Sequence, residues 1–355
     1  MPARSTSGLT AATTQGVASF AHALTRSLPI ASWSIPAILL AVAFSLPAPA
    51  AAQVYPDEFA RAFEEEPVRG YVNVDAMFWT RNMPGAPLMI NGGTGQAIYN
   101  TINTLDLNTA AGPGITIGQS IGDIFGIQGA FFGFYGWEAS GTSVLTAGNA
   151  ATADVPFPGL PAIAFNPGDY QTHRYTSDLT NIELNMTADL TDHFTFLWGF
   201  RYLNLDEHFR GALYQNTNAL FGTYDILARN NLVGFQIGGD QTFYLTDSWT
   251  LSLQGKVGIF GNAAEQKTLG SFLPGERTGA DGRASVVAQL GLQTAVQLSR
   301  PIAIHGGYQA LFVDNVALAP SQITVGNWAG GGAGGISTSG ELIAHGGNIG
   351  FEITW

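Results

Sequence analysis

Residues 194–203 read Phe-Thr-Phe-Leu-Trp-Gly-Phe-Arg-Tyr-Leu. Phe194, Phe196, Trp198, Phe200 and Tyr202 occupy every second position; Thr195, Leu197, Gly199, Arg201 and Leu203 lie between them. Side chains alternate across a strand, so one face is wholly aromatic and the other carries a charge. The period is two, not the 3.6 of a helix.

The pattern spreads outward in both directions. Ile182, Leu184, Met186 and Leu190 oppose Asn181, Glu183, Asn185, Thr187 and Asp189. Val233, Phe235, Ile237 and Phe243 oppose Gln236, Asp240 and Thr242, and Trp249, Leu251, Leu253, Val257 and Ile259 oppose Thr250, Ser252, Gln254 and Lys256. Val286, Leu290, Leu292, Val296 and Leu298 oppose Gln289, Gln293 and Gln297; Ile349, Phe351, Ile353 and Trp355 oppose Asn348, Glu352 and Thr354. A soluble sandwich and a transmembrane barrel share this alternation, and the connections separate them. Very short links occur at residues 121–124, 191–193, 246–248 and 299–301. Between them lie long segments rich in Gly, Pro, Asn and Ala, at 81–113, 139–170, 206–222, 262–282 and 314–342. Strict alternation of short and long connections is the pattern of an outer-membrane barrel, with short periplasmic turns and long extracellular loops. The expected fold is therefore all-β: a closed antiparallel transmembrane barrel of about ten strands, with twelve as the upper bound. The strands fall near 71–80, 114–121, 125–138, 171–190, 194–205, 223–245, 249–261, 283–298, 301–313 and 343–355. Several exceed the roughly 9–11 residues that cross a bilayer and should project beyond it.

Composition agrees. Charged residues make up 11% of the chain, less than half the usual ~25%, and 45 of the 355 residues are glycine. The formal charge of −12 offers no basic footprint for nucleic acid. The absence of cysteine excludes disulfides, thiolate metal sites and a cysteine nucleophile.

Residues 1–52 read as a secretory signal with a long leader. No acidic residue precedes Asp57, and Arg26 lies ahead of the apolar run that includes Ile35, Ile38, Leu39, Leu40, Val42, Phe44 and Leu46. That run is about a dozen residues, short of the ~20 that span a bilayer. Small residues around Ala50 suit cleavage, with the favoured cut before Gln53. Residues 53–70 form an acidic periplasmic linker, and 71–355 the barrel. Trp355 ends an alternating strand on an aromatic, the signal that barrel-assembly machinery reads in a terminal strand, although phenylalanine is its usual form. Expected partners are therefore outer-membrane lipid, that machinery and periplasmic chaperones, with small polar solutes as cargo. No cofactor, metal site or oligomeric state is assigned.

Three stretches carry a resemblance. Residues 71–81, Tyr-Val-Asn-Val-Asp-Ala-Met-Phe-Trp-Thr-Arg, followed by Pro87-Leu88-Met89, resemble the opening strand of the planctomycete β-barrel porin family. Residues 199–207, Gly-Phe-Arg-Tyr-Leu-Asn-Leu-Asp-Glu, resemble its central strand, and residues 230–238 the strand that follows. The resemblance covers most of the mature chain and implies an outer-membrane location and a porin role. It brings no catalytic set.

Motifs that could carry chemistry are weak. Gly118-Gln119-Ser120-Ile121-Gly122 matches the G-x-S-x-G elbow, but an aromatic strand follows where a helix is required. Asp206, Glu207 and His208, with His173, form the set that a rim protease would use. Gly92-Gly93-Thr94-Gly95 and the glycine run at 330–335 lack the strand, helix and lysine of a phosphate cradle. The expectation is that the protein is not an enzyme.

The functional set is instead the lumen lining: Glu183, Asp189, Arg201, Asp240, Lys256 and Glu352, with Asn185, Gln236, Gln254, Gln289, Gln293, His305 and Gln309. Eight strands are just filled by side chains and open channels appear nearer sixteen, so ten leave two readings. One is a narrow pore passing small polar solutes or ions, weakly cation-selective because its carboxylates outnumber Arg201 and Lys256. The other is a plugged barrel, structural or adhesive, displaying surface loops.

Overall fold

A computed structural model describes residues 70–83, 90–92, 97–99, 107–144, 152–154, 163–164, 166, 168–271, 273, 275–325 and 335–355. The signal, all of the linker but Gly70, and most of both glycine runs lie outside the described residues. In chain order the strands are β1 (Gly70–Arg81), β2 (Ile90–Gly92), β3 (Ala97–Tyr99), β4 (Ala110–Ile121), β5 (Phe125–Val144), β6 (Thr152–Asp154), β7 (Ile163–Ala164), β8 (Tyr170–Thr191), β9 (Phe194–Tyr214), β10 (Leu220–Thr246), β11 (Trp249–Gly270), β12 (Arg277–Ser299), β13 (Ile302–Val316) and β14 (Gly340–Thr354). Ten of them close a barrel in the order β1-β4-β5-β8-β9-β10-β11-β12-β13-β14, every neighbour antiparallel. The other four pair as a small sheet, β3-β2-β6-β7.

The seam joins the first and last strands, from Tyr71 opposite Thr354 to Arg81 opposite Ala344. Trp355 completes it, exchanging backbone hydrogen bonds with Gly70 at 3.0 Å in both directions. Closure leaves the barrel sheet without an edge strand, the condition for it to stand in lipid.

The four short links form the turns between β4 and β5, β8 and β9, β10 and β11, and β12 and β13. Two share a Thr-Asp-X sequence for a physical reason. Thr191 Oγ1 accepts from the His193 N–H at 3.2 Å, and Thr246 Oγ1 from the Ser248 N–H at 3.4 Å. These short local bonds hold the chain in its reversal.

Two of the five long segments are mostly strand, contrary to the sequence reading. β9 runs to Tyr214 and β10 starts at Leu220; β11 runs to Gly270 and β12 starts at Arg277. The sequence masks this because the outer face changes from apolar to polar partway up each strand. On β9 the outward set runs Phe196, Trp198, Phe200, Tyr202 and then Asn204, Asp206, His208, Arg210. The upper part is therefore wall that stands in water. The six strands β5 and β8–β12 have 20–27 residues, whereas β1, β4, β13 and β14 have 12–15.

Below that change the outer face is apolar and bare. Phe200 is 64% exposed, Ile259 72% and Leu184 57%, an arrangement that water disfavours and lipid does not. Aromatic residues mark both margins: Phe125, Trp249 and Trp355 near the turns, Tyr135 and Tyr308 higher up, all about half exposed. Above this belt the outer wall carries exposed ion pairs: Arg174–Glu138 at 2.9 Å, Arg210–Asp225 at 2.9 Å and Arg229–Asp206 at 2.7 Å.

Candidate functional site

The inward face holds two chemically different halves. The half nearest the short turns is polar. At its top sits Glu183 on β8, buried at 3% exposure. Lys256 Nζ on β11 lies 2.8 Å from Glu183 Oε2, and Arg201 Nε on β9 lies 3.7 Å from Oε1. Asn181 and Asn185 each donate to Glu183 at 3.2 Å, and Gln236 donates at 2.8 Å to Glu183 and 2.9 Å to Asn185 Oδ1. Arg201 Nε also donates to Asn181 Oδ1 at 2.6 Å, and its guanidinium lies 5.8 Å from the centre of the Phe132 ring. Buried charges persist only when paired and hydrogen-bonded, and here one carboxylate serves two cations.

Below this network a cavity of about 830 Å³ extends towards the short turns. Asp189, Asp240, Gln254, Gln289, Gln293, Gln309 and Glu352 line it, as do Glu183 and Lys256. Asp189 accepts from Thr195 at 2.6 Å, Asp240 from Thr242 at 3.3 Å, and Gln309 from Gln289 at 3.0 Å. His305 is not on the cavity wall; its Nε2 lies 2.8 Å from Asp75 Oδ1, which also accepts from Asn348 at 2.7 Å. The structure thus brings Glu183, Asn185, Arg201, Gln236 and Lys256 together and spreads the other predicted lumen residues around the cavity and the seam.

The half nearest the long connections is packed. Trp79 stacks on Phe134 at 4.8 Å and Phe134 on Trp137 at 5.1 Å, all three with no exposed surface. Trp137 Nε1 donates to the Trp79 carbonyl at 2.9 Å, so the one polar atom of that ring is satisfied. A bulge makes the stack: the β5–β8 register shifts between Tyr135 and Trp137, at Gly136, whose φ of +97° suits glycine. The extra residue turns both Phe134 and Trp137 inward. Met77, Leu203, Leu205, Leu232, Phe260, Val287, Leu311 and Val313 join this apolar core from other strands.

The end of β13 and the chain after it cap that core. Val316, Leu318 and Ile323 are buried, the last in a 3₁₀ turn at Ala319–Thr324. Asn230 on β10 grips the segment twice, donating to the Ala317 carbonyl at 2.8 Å and accepting from its N–H at 2.7 Å. Glu207 Oε2 accepts from the Ala319 N–H at 2.7 Å; its Oε1 binds Arg81 at 2.8 Å and the Tyr175 hydroxyl at 2.6 Å. Arg81 also donates to Ser177.

These contacts break up the rim set. Glu207 faces inward and is committed to Arg81. Asp206 and His208 face outward, Asp206 to Arg229 and His208 to Asp225 at 2.5 Å. His173 faces inward, its ring stacked 5.8 Å from Phe209 and its Nδ1 3.2 Å from the Tyr224 hydroxyl. Burial above the lipid belt pushes the His173 imidazole down to about 4. Among the described residues no group of three His, Asp or Glu could hold a metal. In the G-x-S-x-G stretch Gly118 has a packing role: a Cβ there would lie 2.2 Å from the Tyr71 ring.

Sequence reasoning missed Asp75, although Asn73 and Asp75 alternate with Val72 and Val74 and carried the signal. It also missed the pairing of Arg81 with Glu207, because both fell in segments read as loops.

No protein-family model matches the chain, and no curated protein matches it. Solved structures of similar fold include the outer membrane protease OmpT from Escherichia coli, with a TM-score of 0.44 and 7% identity over 81% of this chain and 96% of that one. The translocator domain of autotransporter NalP from Neisseria meningitidis has a TM-score of 0.37 and 9% identity over 83% and 92%. The Ralstonia pickettii toluene transporter TbuX has a TM-score of 0.33 and 8% identity over 82% and 90%. Such likeness concerns the fold alone. Ring closure, an apolar belt between aromatic margins and a polar upper wall define the class here: a ten-stranded transmembrane β-barrel.

Proposed function

We propose that this protein is an exported outer-membrane barrel, closed to free diffusion in the state described, that presents its tall wall and long connections outside the cell. The observation that carries this is the apolar layer across the lumen. Trp79, Phe134 and Trp137 fill the section that a solute would have to cross, and residues 316–323 sit over it. A pore for polar solutes needs a wettable path, and this layer provides none. Both described ends of the barrel lie at the short-turn end, which then faces the periplasm. Trp355, exposed at the seam, is available there to the barrel-assembly machinery. Among the described residues Asp206 and His208 face outward while Glu207 and His173 face inward, so the rim set does not converge, and this supports reading the role as non-enzymatic. Membership of the planctomycete β-barrel porin family belongs to the same proposal and rests on the three stretches quoted above.

The second reading is a gated, cation-preferring porin. The polar cavity in the lower half, with more carboxylates than cations on its wall, favours it. Planar-bilayer recording of the purified protein decides between them. A silent membrane at all voltages is expected; discrete, cation-selective openings would replace the closed-barrel reading with the porin.

A further inference from the structure

The cavity below Glu183 is a blind vestibule: it reaches the short turns at one end and meets the Glu183 network and the apolar layer at the other. A chamber with one mouth retains a solute more readily than it passes one. Its volume, about 830 Å³, is that of a small-molecule site.

Its wall is short of cations. Glu183, Asp75, Asp189, Asp240, Asp247 and Glu352 supply six carboxylates, against the cations Lys256 and Arg300. Lys256 is already committed to Glu183 at 2.8 Å. Asp189 and Asp240 flank Thr195 on the two neighbouring strands, which puts both at one level of the chamber. Two neutral acceptors on the wall also lack partners. Gln289, 5% exposed and on the cavity wall, gives its N–H to Gln309 but leaves its Oε1 without any partner. Asn73 Oδ1, on the same wall, is also buried and unpartnered. A buried acceptor left unpaired costs free energy, so both atoms call for a donor. An ammonium group is donor-only and positive, and it answers both the bare carbonyls and the carboxylates.

We propose that the vestibule is a binding site for small organic polycations of the polyamine class, with Asp189, Asp240 and Glu352 matching the charges and Gln289 Oε1 accepting from one ammonium. The site does not depend on whether the barrel conducts, nor on which membrane holds it.

The test is isothermal titration of the purified full barrel in detergent, with spermidine as probe and maltotriose as a neutral polyol of comparable hydrogen-bonding capacity. Spermidine should bind with one-to-one stoichiometry, weaken as salt is raised, and lose at least about tenfold in affinity in the Asp240→Asn/Glu352→Gln double variant. Glu265→Gln, on the outer face of β11, should bind as the parent does. If the double variant fails to show the heat-modifiable mobility of a folded barrel, Gln293→Lys sets a fixed cation in the chamber and should abolish binding. The proposal fails if spermidine gives no heat with the parent, if maltotriose binds as tightly, or if the lumen variants bind like the parent.

Discussion

The two halves of the lumen use opposite means to fill the same ring of strands. The upper half is filled as the core of a soluble domain is, by stacked tryptophan and phenylalanine, aliphatic side chains and a returning segment of chain. The lower half is walled by amides, hydroxyls and carboxylates and keeps a chamber. Between them lies Glu183, whose two cations and three amides form the floor of one half and the ceiling of the other. The contrast teaches that a ten-stranded barrel is wide enough to need filling and narrow enough that side chains can supply it, so openness is set layer by layer.

The largest effect expected from breaking this arrangement is at the boundary. Glu183→Ala leaves Lys256 and Arg201 buried without a counter-ion, and removing one partner of a buried pair typically costs about 3–5 kcal/mol. The urea midpoint of the folded barrel should fall accordingly, and Glu183→Ala/Lys256→Met should recover part of the loss. If Glu183→Ala unfolds at the parental midpoint, the network carries no structural weight.

Phe134→Ala, which opens the middle of the aromatic stack, should cost a similar or slightly smaller amount, about 3–5 kcal/mol for a buried phenylalanine. It also sharpens the comparison: the same variant should be the first to admit ions in planar bilayers, whereas Gln293→Ala in the lower half should not.

A smaller effect is tied to pH. His173 is held neutral in the upper half, its pKa near 4 when folded against about 6.5 when unfolded. The folded value is the depressed one, so this stabilisation is whole above pH 6.5 and is lost as pH falls from there to about 4. The loss is roughly 3 kcal/mol over that window. His173→Phe, which keeps the ring against Phe209, should flatten the acid limb of the unfolding profile; an unchanged limb would assign the acid sensitivity elsewhere.

The smallest effect belongs to the outer wall. Asp206→Ala removes the Arg229 ion pair, whose side chains are 40% and 61% exposed, and exposed pairs contribute little. A change within about 0.5 kcal/mol is expected, with no change in any peptide or lipid hydrolysis assay. A hydrolytic activity lost in this variant would restore the rim-enzyme reading.

The lower half was the more legible half. Glu183, Gln236, Asp240, Lys256, Gln289 and Gln293 stand out because polar residues alternate with an unbroken apolar lipid face, and a period of two needs no knowledge of the partner strand. Where the outer face becomes polar as well, the contrast that marks a strand vanishes. The sequence therefore stops β9 near Leu205, and β11 near Gly261, while the hydrogen-bonded ladder carries on to Tyr214 and Gly270. Asp206, Glu207 and His208 then read as one cluster, although strand geometry sends the middle one to the opposite side of the wall.

Local order along the chain was enough to specify the lower parts of the strands, the short turns, their alternation and the face of the residues between them, because alternation and turn chemistry are short-range. Which residues meet across the lumen was decided only by closure. Register brings Arg81 to Glu207 and Lys256 to Glu183 across more than seventy residues of chain, and a single bulge at Gly136 turns Trp137 inward to complete the stack. Whether the barrel is filled or open depends on the sum of side-chain volumes at each level, a quantity that exists only once ten strands have fixed the width they must fill.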